Sequence, residues 1–185
     1  IFIRNADGEG NDLSREVKSQ CRRAGRLLEE LDLRPTLIIT SDAPRSKRTG
    51  EFIAQGLKIP PPLPQRIEMP ELQYLASDEA SGKELGPIFK ELGVDKPMRM
   101  YLERDTKGIL SDHAKRVADK IRWEATARFG QRRALVLVVG RHFLQNLVGL
   151  TIVPDNPLLL GPEFLHLTGY RIDEDGLVHA VDLST

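Results

Sequence analysis

Three places in this 185-residue chain set polar, chemistry-bearing residues directly behind an apolar run. Arg4-Asn5 follows Ile1-Phe2-Ile3. Ser41-Asp42 follows Thr36-Leu37-Ile38-Ile39-Thr40, with Arg45 one turn later. Gly140-Arg141-His142 follows the run from Ala134 to Val139. In an open α/β sheet, ligands bind beyond the carboxyl ends of the strands. Three arginines delivered to one such edge are costly without an anion among them. A phosphate meets that need, because a guanidinium fork matches two phosphate oxygens and a helix N-terminus adds backbone N–H donors. Arg4, Asn5, Ser41, Arg45 and Arg141 are therefore the candidate phosphate ligands. A purely structural reading stands beside this one. Arg4 and Arg45 would then pair with Asp7, Asp42 or Glu51, Asn5 would cap a turn, and Arg141 would reach solvent.

The elements that must position these residues follow from periodicity. Ile1 to Ile3 reads as the end of a buried strand, and Asp7 to Asn11 as a turn-rich loop. From Leu13 to Leu33 the period is helical, with Val17, Cys21, Ala24, Leu28 and Leu31 on one face and Ser14 as N-cap. Thr36 to Thr40 is a short β-branched run, which suits a strand buried on both faces. A second helix runs from Pro44, harmless in a first turn, to Leu57, with Ser41 as its cap. Ile67 and Met69 mark a short strand and Glu84 to Leu92 a short helix, while Pro97 to Thr106 stays ambiguous. Ser111 caps a long helix that Gly130 stops after Phe129. Ala134 to Val139 is the clearest buried strand, and Phe143 to Leu150 is helix-like. Phe164 to Ile172 and Leu177 to Leu183 flank Asp173-Glu174-Asp175-Gly176, a hairpin signal that implies antiparallel strands at a sheet edge. Strands alternating with helices imply a largely parallel α/β sheet covered on both faces, residues 1–185 forming a single domain.

Composition narrows the function classes. Lys plus Arg is 27 and Asp plus Glu is 27, so no global attraction to nucleic acid or to an anionic membrane is implied. No apolar stretch approaches the roughly 20 residues of a membrane span. The single cysteine, Cys21, excludes an intrachain disulfide framework and favours a reducing, cytoplasmic location. It lies on the inward face of a helix and reads as core. Four dispersed histidines give no metal-ligand spacing, and no cofactor is implied. Of these, His113 reads as solvated, and His166 and His179 as structural. Arg22-Arg23 and Arg132-Arg133 read as solvated faces. The chain opens at Ile1, inside an apolar run and without Met, which points to preceding residues and leaves a processed leader open.

Ile1-Phe2-Ile3-Arg4-Asn5-Ala6-Asp7 resembles the opening strand of the histidine phosphatase superfamily, the phosphoglycerate mutase-like fold, where the strand ends in Arg-His-Gly or Arg-His-Ala. Leu13-Ser14 with Gln20 to Leu28 resembles that family's first helix, with Val17 where Gly is frequent. Ser41-Asp42-Ala43-Pro44-Arg45-Ser46-Lys47-Arg48-Thr49 resembles its Ser-x-x-x-Arg-Ala-x-x-Thr segment. Val138-Val139-Gly140-Arg141-His142 stands where the family has Val-Gly-His. The order and spacing of the segments match, the resemblance covers nearly the whole chain, and the short middle looks most like the bacterial phosphohistidine phosphatase branch. It implies a three-layer α/β/α sandwich, mostly parallel with an antiparallel edge.

The resemblance also implies a chemistry. Two arginines, matched by Arg4 and Arg45, hold the phosphoryl oxygens. One histidine attacks phosphorus, a second stabilises the transferring group, and an acid protonates the leaving group. Glu71, Asp78 and Glu79 lie where relatives supply that acid, and Glu71 is the catalytic candidate. The nucleophile position is Asn5, whose amide nitrogen is conjugated to its carbonyl and cannot take up a phosphoryl group as imidazole does. The second histidine position is Arg141. His142 follows it, and neighbours on a strand face opposite ways, although the backbone is free to twist past a strand end. The expectation is a pocket that binds phosphate, or a phosphorylated small molecule or protein, with hydrolysis lost or badly impaired. One rival reading is a working phosphohistidine or phosphomonoester phosphatase with His142 catalytic, or a water activated by another base. Another is a protein-interaction module without a small ligand.

Overall fold

Alternation along four short apolar runs determines how the layers assemble. The computed structural model describes residues 1–6, 12–58, 63–72, 79–93, 96–161 and 165–184, the side chains at 79–82, 84–85 and 142 excepted. The strands are β1 (Phe2–Arg4), β2 (Leu37–Thr40), β3 (Gln65–Glu68), β4 (Val136–Gly140), β5 (Thr168–Ile172) and β6 (Val178–Asp182). They form one sheet in the order β3-β2-β4-β1-β5-β6. The first four are parallel, β5 runs antiparallel to β1, and β6 antiparallel to β5. This is the mostly parallel sheet with an antiparallel edge that the residue pattern implied.

Successive strand residues face opposite ways. Ile3, Ile38, Leu137 and Val139 pack against Cys21, Ala24 and Leu28 of α1 (Arg15–Glu30) and Phe52 and Ile53 of α2 (Pro44–Gly56). Phe2, Leu37, Ile39 and Val138 face the other way. That face is covered by α3 (Glu79–Leu92), α4 (Met98–Arg104), α5 (Ile109–Phe129), α6 (His142–Ile152) and α7 (Pro157–Leu160). The result is the three-layer sandwich. Its larger core carries an aromatic knot, with Phe143 edge-on to Tyr101 at 4.8 Å and to Phe89 at 5.2 Å, geometries that suit the ring quadrupoles.

The α1–α2 seam is closed by backbone. A Cβ on Gly25 would lie 2.2 Å from the Ile53 carbonyl oxygen, and one on Gly56 would lie 2.0 Å from that of Arg22. Only glycine allows so close a crossing. Ser14 caps α1 by accepting from the Val17 N–H at 3.2 Å, as its residue type implies.

Several local expectations are corrected. Leu31 is 57% exposed, because α1 stops at Glu30 and the chain turns at Asp32, which has φ of +56°. Ser41 does not cap α2; the N-cap position is Ala43, with Pro44 opening the helix. The long helix α5 starts at Ile109, before Ser111, because the Asp105 carboxylate accepts from the N–H groups of Ile109, Leu110 and Ser111 at 2.8, 2.9 and 3.4 Å. Pro97 to Thr106 resolves into α4, and α3 begins at Glu79 rather than Glu84. Phe164 lies outside the described residues, and β5 begins at Thr168. Among the described residues, no helix is long and apolar enough to cross a membrane.

Candidate functional site

Parallel register brings the strand ends together. Arg4 pairs with Gly140 across β1 and β4, and Thr40 with Val139 across β2 and β4. The ladder continues past the strands on main-chain bonds. The Asn5 N–H donates to the Gly140 carbonyl at 2.9 Å, and the Ser41 N–H to the Val139 carbonyl at 3.3 Å. Arg4, Asn5, Ser41 and Gly140-Arg141 thus share one edge of the sheet.

Arg45 joins them through Thr49. The Thr49 hydroxyl donates to the Arg45 carbonyl at 2.8 Å and accepts from the Ala6 N–H at 3.1 Å. Thr49 is fully buried, so this one oxygen pins the first turns of α2 to the segment leaving β1. The candidates differ in exposure. Arg4 and Arg45 are partly buried, Ser41 is 2% exposed, and Arg141 is exposed at the N-cap position of α6. Asn5 is 7% exposed, with its amide Nδ2 donating to the Ala6 carbonyl at 3.1 Å. Asp42 Oδ1 is buried at this edge without a hydrogen-bond partner among the described residues. Glu51 pairs with Arg48 at 3.1 Å. Asp7 and Asp78 lie outside the described residues, as do the side chains of Glu79 and His142; the backbone of His142 opens α6.

Glu71 sits in a single 3-10 turn, Pro70–Leu72, directly after β3. The Met69 N–H donates to the Thr40 carbonyl at 2.8 Å, which holds this turn at the same sheet edge. The Glu71 carboxylate, however, is paired with Lys120 of α5. The Lys120 hydrogen bond holds the Glu71 carboxyl below the usual range, which favours its ionised form and counts against a proton donor. His113, read from sequence as solvated, is instead partly buried, and its Nε2–H donates to the Glu71 carbonyl at 3.1 Å. Burial pushes its pKa down. Among the described residues, no group of three or more His, Cys, Asp or Glu could hold a metal ion.

Two further residues lie at this edge, Gln145, which the sequence reading did not single out, and His166, read there as structural. Gln145, buried in the first turn of α6, donates through Nε2 to the carbonyls of Ile3 at 2.7 Å and Val138 at 3.3 Å, stitching β1 to β4 beneath the site. His166 lies at the strand end itself, with Nδ1 2.9 Å from the Asn5 carbonyl oxygen. A cleft of about 740 Å³ opens between α2 and β3, lined by Thr40, Pro44, Lys47, Arg48, Arg66 and Glu68 among others. Lys47 and Glu68 pair across it at 2.7 Å.

No family model matches the sequence, and no curated protein matches it. Solved structures do match. The protein histidine phosphatase SixA complexed with tungstate is similar at 15% identity and a TM-score of 0.58, over 97% of this chain and 92% of that one. The mycobacterial glucosyl-3-phosphoglycerate phosphatase complexed with VO3 is similar at 14% identity and a TM-score of 0.58, over 99% and 96%. The same mycobacterial enzyme with inorganic phosphate gives 13%, 0.52, and 100% and 97%. Identities this low speak for the fold, and the coverage is nearly end to end: this chain is folded as the histidine phosphatases are.

Proposed function

We propose that this chain binds a phosphorylated ligand at the carboxyl edge of β1, β2 and β4 and is badly impaired in hydrolysing it. Arg4 and Arg45 clamp the phosphoryl group, Ser41 contributes at the approach to α2, and Arg141 adds positive charge at the start of α6. The observation that carries the reading is the identity of Asn5. It follows Arg4 at the strand end, is held there by the Gly140 carbonyl, and has no nitrogen able to accept a phosphoryl group. Support for the anion comes from the relatives by fold, which were solved with tungstate, phosphate and VO3. The α2–β3 cleft beside Thr40 and Pro44 leaves room for the rest of the ligand. A lone, buried cysteine suits a reducing compartment, and we place the protein in the cytoplasm.

Calorimetric titration with inorganic phosphate and with tungstate tests the binding half of this reading. The expected result is saturable uptake by the unmodified protein that Arg45→Ala removes. Uptake that is absent, or identical in Arg45→Ala, would contradict it.

A further inference from the structure

The side of the sheet that faces α2 changes character at β3. Parallel register sets Arg66 in one row with Ile38 and Leu137, and Glu68 in the next with Thr40 and Val139. Residues in register point to the same face of the sheet. Ile38, Leu137 and Val139 are buried in the core that α1 and α2 close. β3 is the edge strand, and on this face it carries two charges where its neighbours carry mostly apolar side chains. The space beside those charges is the cleft of about 740 Å³ between α2 and β3.

The charges of that cleft do not cancel. Its described lining holds the cations Lys47, Arg48 and Arg66 and the anions Glu51 and Glu68. Lys47 is taken by Glu68 at 2.7 Å, and Arg48 by Glu51 at 3.1 Å. No carboxylate among the described residues pairs with Arg66, which is exposed. With both acids of the lining committed, its guanidinium is open to an anion from outside, and its fork suits a carboxylate or a phosphate. The cleft also meets the phosphoryl edge. Thr40 and Pro44 line it, and they are the chain neighbours of Ser41 and Arg45. The Met69 N–H meets the Thr40 carbonyl at 2.8 Å, which sets the end of β3 level with that edge. Arg66 stands three residues earlier, about 10 Å back along the strand.

We propose that Arg66 is a specificity residue, binding a second anionic group of a ligand whose phosphoryl group Arg4 and Arg45 hold. This rests on the phosphoryl-binding reading above and deepens it by naming the ligand class. The ligand is an elongated phosphomonoester with a carboxylate or a further phosphate several bonds from the phosphorus. The offset along β3 selects a molecule that runs down the cleft over a compact one. Lys47 and Glu68, already paired, brace α2 against β3 and leave the second anion to Arg66.

Calorimetry with four probes separates this role from simple phosphate binding. The probes are inorganic phosphate, hexyl phosphate, hexanediol bisphosphate and a hexanoate with a phosphate at its far end. Each is titrated into the unmodified chain, Arg45→Ala, Arg66→Gln, Arg66→Lys and Arg23→Gln, with a thermal melt of each. Arg23→Gln removes an exposed α1 arginine outside the cleft lining and so controls for charge at large. The expected result is that at least one two-headed probe binds the unmodified chain about tenfold more tightly than hexyl phosphate, the worth of one charge-assisted contact. Arg66→Gln is expected to erase that preference while its inorganic phosphate affinity and melt stay with the parent. Arg66→Lys should keep part of the preference and Arg23→Gln all of it. The probe preferred names the second anion. A preference for neither, one that survives Arg66→Gln, or one that falls equally in Arg23→Gln overturns the proposal and leaves the Arg45 reading intact. If the parent takes up no inorganic phosphate, both readings fall together. Should Arg66→Gln fold poorly, the guanidinium resonances of the unmodified protein decide. An Arg66 signal that shifts with a two-headed probe and not with hexyl phosphate supports the contact, and one that stays in place overturns it.

Discussion

The α1–α2 seam and the carboxyl edge of the sheet obey opposite rules. At the seam, main-chain atoms of one helix occupy the space where a side chain of the other would stand. Gly25 and Gly56 meet carbonyl oxygens at distances no Cβ tolerates, so residue type there is dictated by shape. At the edge, position is set by main-chain hydrogen bonds that any non-proline residue can make. Asn5 donates to Gly140, Ser41 to Val139 and Leu167 to Arg4. The side chains of Asn5, Ser41 and Leu167 can change without removing those main-chain bonds. A fold can therefore be kept whole while side chains at its edge are exchanged, and under the proposed function Asn5 and Arg141 are such exchanges.

Gly56→Val strikes the seam hardest. Its side chain would collide with the Arg22 carbonyl, and a loss of about 3 kcal/mol or more is expected from overpacking against rigid backbone, read as a large drop in melting temperature. A variant as stable as the parent would mean that the seam yields and the contrast is false. Arg45→Ala is the matching change at the edge. It is expected to weaken phosphate binding by about 2 kcal/mol, roughly thirtyfold, from lost charge-assisted bonds, with the melt almost unmoved. An equal fall in stability would make Arg45 a structural residue.

What was legible in the sequence divides along the same line. Arg4 and Arg45 could be placed because a charged residue directly after an apolar run is a local feature of the chain. Ser14 could be named as a cap because its partner lies three residues on. The contacts that were missed are long-range. Gln145 reaches the Ile3 carbonyl and His166 the Asn5 carbonyl across most of the chain, and no periodicity announces either. Leu31 was misplaced because the helical period outruns the helix. Asp105 was overlooked as the α5 cap because it precedes a left-handed Gly108 rather than the first helical residue. The role of Glu71 depended on Lys120, which approaches from a different helix.

Asp105 tests whether a distant cap matters to the edge at all. Asp105→Ala leaves α5 donors unmet and is expected to cost about 1 kcal/mol of stability, within the range of lost N-caps. Phosphate affinity should stay unchanged, since the Asp105 carboxylate serves the first turn of α5. Smaller still is the pH response of His113. Burial lowers its pKa in the folded protein below the ordinary 6.5, so the unfolded chain binds more protons as acidity rises. The His113 contribution to stability is complete above that ordinary value and is lost as pH falls toward the lowered one. His113→Gln keeps a donor for the Glu71 carbonyl and should flatten the stability profile in that window; an unchanged profile would show that His113 does not titrate there.

The most direct test of the central claim is turnover and binding measured on one preparation. The unmodified protein and Arg45→Ala are assayed on a generic aryl phosphate and on a phosphohistidine peptide, alongside phosphate calorimetry. Binding that depends on Arg45, with hydrolysis no higher than in Arg45→Ala, is the predicted result. Hydrolysis clearly above that control would contradict it, because the site would then possess a nucleophile or base that Asn5 does not supply.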